Sequence, residues 1–223
     1  MKRIMPQYSY GPGPRARCFW GPSTVPDDQM PSASGTIRTQ FAVIGAGYTG
    51  LNAALLLAQA GQTVTVFDAE SPGWGASARN GGFCCLGGTN LPFKTIAKRH
   101  GMQGLQDWCA SEVAAIEQVR SFLTRTGTDA DTHSNGETIL AHSPGAMREL
   151  RSEQAELETA YGVKTDLIEA EDLARQGMRG RFFGALTLPT GFGLNPRKYA
   201  DGLAGACLAA GVTIHGQSPV LSV

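Results

Sequence analysis

Residues Phe41 to Asp68 (FAVIGAGYTGLNAALLLAQAGQTVTVFD) constrain this chain more than any other stretch. A short apolar run, Phe41-Ala42-Val43-Ile44, enters Gly45-Ala46-Gly47-Tyr48-Thr49-Gly50 directly, and an Ala- and Leu-rich helical pattern follows as far as Gly61. A β-rich run then ends in Asp68, 18 residues after Gly50. Strand, glycine turn, helix, and a second strand tipped by an acid is the order of a βαβ dinucleotide-binding unit. Gly45 permits the tight turn off the strand, Gly47 lets the backbone approach a pyrophosphate, and Gly50 lets the helix lie close on the sheet. The free N–H groups and positive end of the helix suit phosphates, with Tyr48 and Thr49 in its first turn. Asp68 can accept hydrogen bonds from a ribose diol, which favours NAD or the adenosine half of FAD over a 2′-phosphorylated ribose. No charged residue occurs between Phe41 and Phe67, so the stretch could be read as a membrane span. The glycines at 45, 47, 50 and 61, with Gln59, Gln62, Thr63 and Thr65, argue instead for two strands buried on both faces and a buried helix.

The rest of the composition agrees with a buried sheet. Over 223 residues, 19 Lys+Arg balance 19 Asp+Glu, so no basic field points to nucleic acid. A charged fraction of 17% and 29 glycines fit an α/β sheet with many tight turns. Residues 1–18 have basic side chains but neither an apolar signal core nor a paired-arginine export signal, so a cytoplasmic location is expected, without a membrane span. The five cysteines (18, 84, 85, 109, 207) make no CxxC pair, and the four histidines (100, 133, 142, 215) make no zinc spacing. No metal site is expected, and the adjacent Cys84 and Cys85 read as small buried hydrophobes beside a glycine turn.

Along the chain, residues 1–38 form an irregular arm rich in Pro, Gly and Ser, with Trp20 as its bulky anchor. A second glycine-rich stretch, Ser71 to Gly82, lies just past the ribose acid; its backbone N–H groups can face a flat ligand while Ser77 and Asn80 offer hydrogen bonds. Helices are expected over 92–100, 105–126, 144–161, 170–176 and 196–210, and strands over 137–142, 164–168, 182–189 and 212–215, with another starting at Val220. Residues 190–195 read as a glycine-bearing turn.

At this point the chain resembles the D-amino-acid-oxidase-like FAD-dependent oxidoreductases, and within them the gamma-glutamylputrescine oxidase branch. Three segments carry the likeness: VIGAGYTGLNAALLLAQAG with Phe67-Asp68-Ala69, then GWGASARNGG, then LNPRKYADGLAGACLAAGVTIH. The second is the most specific. The resemblance implies an α/β fold: an incomplete Rossmann-like FAD-binding βαβ domain with part of an α+β substrate domain. It divides the chain into the arm (1–38), the first part of the FAD-binding domain (39–135), a partial substrate domain (136–194) and a return to the FAD-binding domain (195–223). It also implies an FAD enzyme that oxidises the C–N bond of an amine or amino acid, with hydride passing to flavin N5, hydrolysis of the imine, and oxygen reduced to hydrogen peroxide. Gly45, Gly47 and Gly50 would lie on the pyrophosphate and Asp68 on the ribose. Ser77, Arg79, Asn80, Gly81 and Gly82 would line the pyrophosphate and flavin side. Asp68 stands where glutamate is commoner, and Ala78 where glycine is usual. Family chains run well past residue 223, so this chain reads as a fragment expected to bind FAD weakly or not at all.

Two other readings compete. A nicotinamide-dependent dehydrogenase would use the same βαβ unit, but it predicts further βα units directly after Asp68, where this chain has a glycine-rich loop. A non-catalytic remnant, or a subunit completed by a partner, would keep the fold without the reaction. No catalytic residue stands out: His142, His215 and Tyr161 are available, but lone residues of these types are more often structural.

Overall fold

The computed structural model describes residues 18–89 and 91–223; residues 1–17 of the expected arm lie outside the described residues. In chain order the elements are β1 (Phe41–Ile44), α1 (Tyr48–Gln59), β2 (Val64–Phe67), β3 (Phe83–Cys85), α2 (Phe93–Thr126), β4 (Glu137–Leu140), α3 (Pro144–Tyr161), β5 (Asp166–Glu169), β6 (Gly184–Leu188), β7 (Gly191–Gly193), α4 (Pro196–Ala209) and β8 (Thr213–His215). Single turns of 3-10 helix occur at Asp27–Gln29, Ala76–Ala78 and Leu173–Gln176. The elements group into two compact units, one of residues 18–82, Phe122–Asp131 and Leu194–Val223, the other of Phe83–Ser121 and Thr132–Gly193.

The first unit is built on a parallel sheet of order β1-β2-β8, with Val43 opposite Val66 and Val66 opposite Ile214. β2 reads Val-Thr-Val-Phe and buries Val64, Thr65 and Val66. Helices α1 and α4 pack against each other, burying Leu51, Ala54 and Leu55 from one and Leu203, Ala204 and Cys207 from the other. Asn195 caps α4 by accepting from the Arg197 and Lys198 N–H groups. Pro196 sits in its first turn, where its missing N–H costs nothing. Gly211 turns the chain away with φ +84.

The second unit holds an antiparallel sheet of order β4-β6-β5 and a short antiparallel pair, β3-β7. Helix α3 is amphipathic and lays Met147 and Leu150 against Ala141, Leu186 and Leu188. Its N-terminus is capped by the Ser143 hydroxyl, which accepts from the Ala146 N–H at 3.1 Å, and its C-terminus by Gly162 in the left-handed region.

Several expectations needed correction. The Phe41–Phe67 stretch is strand, helix and strand, and among the described residues no helix is long and apolar enough to cross a membrane. However, β1 is not buried on both faces. Among the described residues it is an edge strand paired only with β2, and Phe41 and Ile44 are 41% and 54% exposed. The expected turn at 190–195 contains β7, two glycines and a phenylalanine held extended by pairing with β3. Cys84 and Cys85 lie in β3 and are half-buried rather than buried. The helices expected at 92–100 and 105–126 run together as α2, broken at Gly101, where φ is 75°. No strand forms at Val220–Val223. Residues 83–121 group with the second compact unit and residues 122–131 with the first.

Candidate dinucleotide site

The glycine turn, the acid and the second glycine-rich loop all belong to the first unit. Gly45 has φ +96, a conformation that side chains rarely adopt, and its N–H donates to the Phe67 carbonyl at 2.8 Å, closing the turn onto β2. A Cβ on Gly50 would lie 1.9 Å from the Gly45 carbonyl oxygen, so this close approach of helix to turn exists only because residue 50 is glycine. Gly47 is the N-cap of α1 and has no side chain with which to cap it. Ser77, from the second loop, takes that place: its Oγ accepts from the Tyr48 N–H at 3.0 Å and lies 2.9 Å from where a Gly47 Cβ would be.

Asp68 extends from the end of β2 back to the turn. Its Oδ2 accepts from the Ala46 N–H at 2.6 Å and its Oδ1 from the Glu70 N–H at 2.8 Å. The backbone around it is fixed as well, because the Asp68 N–H donates to the His215 carbonyl and the Ser218 N–H to the Asp68 carbonyl. Two acceptor bonds leave a carboxylate with further lone pairs. Thr49 is exposed in the first turn of α1. The Tyr48 hydroxyl donates to the Pro196 carbonyl, and its ring packs 4.8 Å from Tyr199, anchoring the start of α1 to α4.

In the second loop the side chains serve the loop itself. Asn80 donates to the carbonyls of Ala76 and Ser77 and accepts from the Gly82 N–H. Arg79 donates to the Gly75 carbonyl and places its guanidinium 4.7 Å from the Trp74 ring centroid. Gly81 is exposed, while Gly82 is buried with φ +78. Ala78 lies in the 3-10 turn and is not among the residues at positive φ, so the usual glycine is not required there. Thus Gly45, Gly47, Tyr48, Gly50, Asp68 and Ser77 converge on one end of the sheet, whereas Arg79, Asn80 and Gly82 shape the loop beside it.

Sequence reasoning missed the buried ion pair beneath this loop. Arg197 and Asp201 of α4 are 4% and 6% exposed and pair at 3.2 Å. Arg197 also donates to the carbonyls of Pro72 and Gly73. Asp201 accepts from the Ser23 hydroxyl and from the Thr24 N–H and hydroxyl, so one pair joins arm, loop and helix. The available signal was the Arg-x-x-x-Asp spacing on a helix otherwise rich in small residues, since neither charge is buried without a partner.

Among the described residues the candidate bases acquire ordinary partners or none. The Tyr161 hydroxyl donates to Glu112 at 2.6 Å, and burial, reinforced by that carboxylate, pushes its pKa well above the usual phenol range. His215 Nδ1 is 2.8 Å from the Pro31 carbonyl, and its ring stacks on Phe67. His142 is exposed in the other unit.

The model of the FAD dependent oxidoreductase (DAO) family matches residues 40–223. The chain belongs to this family of FAD enzymes. It is 29% identical over 188 residues to the gamma-glutamylputrescine oxidoreductase of Escherichia coli, covering 84% of this chain and 44% of that protein. It is also 29% identical over 209 residues to a probable oxidoreductase, OrdL, of Rhizobium meliloti, covering 92% and 48%. The chain spans about half the length of the curated relatives it matches. Among solved structures the fold matches glycine oxidase of Bacillus cereus with a TM-score of 0.62 at 18% identity, covering 83% of this chain and 48% of that one. An L-amino acid deaminase of Proteus vulgaris matches with a TM-score of 0.64 at 19% identity, covering 87% and 49%.

The residues present fit the family's cofactor. The turn is open at Gly45, where nothing lies within 4 Å of a Cβ position, it leads into the positive end of α1 with Ser77 on the Tyr48 N–H, and Asp68 retains acceptor capacity beside it.

Proposed function

We propose that the first unit binds FAD, with Gly45, Gly47, Tyr48, Thr49 and Gly50 on the pyrophosphate and Asp68 on the adenosine ribose. In this reading Ser77, Arg79, Asn80, Gly81 and Gly82 line the pyrophosphate and flavin side. The second unit carries part of the substrate side. The reaction is oxidation of the C–N bond of an amine or amino acid, the class to which the names of the relatives point. FAD, held by these residues, would supply the hydride acceptor, with oxygen as the final oxidant and hydrogen peroxide as its product.

The chain's own residues hold and orient. The N–H groups in the first turn of α1 have no intrahelical acceptors and face the phosphate side with the helix dipole behind them. Asp68 is pre-positioned by the Ala46 and Glu70 N–H groups, so binding a diol requires no reorganisation of the carboxylate. Ser77 closes the mouth of α1 and fixes the distance between the two glycine-rich loops. No side chain is assigned as a proton acceptor; orientation of the amine carbon toward the cofactor is the main contribution asked of the protein.

The observation that carries this reading is the 2.6 Å bond from the Ala46 N–H to Asp68, which brings the glycine turn and the ribose acid to a single point. The test is titration of the purified chain with FAD, followed by flavin fluorescence. Weak but saturable binding is expected for the wild type, which spans about half the length of its relatives, with affinity reduced about tenfold further in Asp68→Ala through loss of charge-assisted hydrogen bonds. NADH is expected not to compete. Absence of saturable FAD binding overturns the reading, and peroxide release on addition of amines and amino acids tests its chemistry.

A further inference from the structure

The arm before β1 is not accounted for by the βαβ unit, yet its described residues touch the second glycine-rich loop at successive points. Trp20 Nε1 donates to the Asn80 carbonyl at 2.8 Å. The edge of the same ring lies 3.2 Å from where a Gly82 Cβ would be, so Gly82 takes its left-handed conformation directly under the indole. The other side of Gly82 is closed by Leu194, whose N–H donates to the Gly82 carbonyl at 2.9 Å and whose own carbonyl lies 2.3 Å from the same Cβ position. Just before Trp20, the Cys18 thiol faces the Ala78 carbonyl at 3.9 Å. Just after it, Ser23 and Thr24 are fixed on the buried Asp201.

These contacts divide the loop into a part that organises itself and a part that does not. Asn80 ties the loop to Ala76, Ser77 and Gly82 from within, while Ser77 is held on the Tyr48 N–H and the Gly82 carbonyl on the Leu194 N–H, which leaves the Asn80 backbone between them to the arm. Trp20 supplies a bond from outside the loop to the Asn80 backbone, with Asp201 anchoring the arm a few residues further on. An indole suits the task. It has a single donor, a rigid ring held by two torsions, and enough apolar surface to cover the glycine backbone.

We propose that Trp20 is a positioning residue: it holds the 76–82 loop in the shape that receives the dinucleotide, so the N-terminal arm is a functional part of the FAD site. The proposal rests on the FAD reading given above. It identifies a requirement that lies upstream of the glycine-rich motif.

The test uses the full 223-residue chain as wild type, Trp20→Ala and Trp20→Phe. The first readout needs no cofactor: amide hydrogen exchange at Ala78, Arg79 and Gly82, each of which has an acceptor in the loop. Trp20→Ala is expected to speed exchange there about tenfold, and Trp20→Phe, which keeps a ring but loses the donor, by about half that factor. Exchange in the β4-β6-β5 sheet stays at the wild-type rate, which separates a loosened loop from an unfolded chain. The second readout is the FAD dissociation constant, expected to rise about tenfold in Trp20→Ala. Unchanged loop exchange in Trp20→Ala overturns the proposal, as does a loosened loop with unchanged FAD affinity. A wild-type chain that binds no FAD overturns the flavin reading instead, and the exchange data then decide alone whether Trp20 holds the loop.

Discussion

A methyl group on Gly50 would meet the Gly45 carbonyl oxygen at 1.9 Å and a Val43 methyl at 3.2 Å, and the first of these is backbone that cannot rotate away. Gly50→Ala must therefore lift α1 from the turn, at a cost of about 1–3 kcal/mol in stability and with FAD affinity lowered at least tenfold. Gly205, on α4, is the contrasting case. It has no atom within 4 Å of its Cβ position and no positive φ. Gly205→Ala is expected to raise stability by about 0.5–1 kcal/mol, because alanine loses less backbone freedom in a helix. Urea unfolding of both variants beside wild type checks the pair, and Gly50→Ala with wild-type stability would refute the packing argument. The same residues show what was legible in sequence. Gly45, Gly47, Gly50 and Asp68 could be read because their spacing reflects one local turn. The bond from Tyr48 to Ser77 could not, because it joins loops 29 residues apart and depends on how the second loop folds back.

Among the elements, α1, α3 and α4 were legible for local reasons. α1 lies between glycines, and α3 and α4 each begin with a proline in the first turn and end at a glycine. β7 was not legible: two of its three residues are glycine, and what makes it a strand is the partner β3, more than 100 residues earlier. The exposure of β1 was missed for a related reason, since an apolar run reports that a strand belongs in a sheet and not what covers its faces. The ion pair on α4 was hard to read because a charged pair four residues apart is ordinarily solvated, yet here both partners are buried, and only the small residues around them pointed inward. Asp201→Ala would leave the Arg197 guanidinium in the interior without its carboxylate, and its Nε already lacks a partner among the described residues. A loss of about 3–5 kcal/mol is expected, measured by chemical unfolding. The double variant Arg197→Met, Asp201→Leu is expected to recover much of it. Equal destabilisation in single and double variants would show that the pair matters for its hydrogen bonds to the arm and loop rather than for its charge.

Taken as a whole molecule, the chain balances its formal charge but carries buried and half-buried acids of another kind, and these set its response to alkali. Burial pushes the Cys84 thiol up from 9.0 to about 11, helped by neighbouring Cys85 and opposed by Arg120. Burial likewise raises Cys207 to about 12, and the Tyr161 phenol is raised from 10.0 by burial and then by Glu112. Each group is neutral when protonated and is kept so by the fold. Above pH 9 the unfolded chain gives up these protons while the folded chain retains them, so the unfolded state binds fewer protons and stability falls as pH rises. The stabilisation is complete below about pH 9 and is lost progressively through pH 11 to 12. Because Cys207 lies in the first unit and Cys84 and Tyr161 in the second, both units should weaken over the same range. Urea midpoints measured between pH 8 and 11 should fall steadily. Cys207→Ala removes one of the responsible protons, so its midpoint should be lower than wild type at pH 8, from the lost packing, yet decline less steeply with pH. A Cys207→Ala curve parallel to that of wild type would show that the buried thiol does not contribute to the alkaline loss, leaving the other groups raised by burial, Cys84, Cys85, Cys109 and Tyr161, as its source.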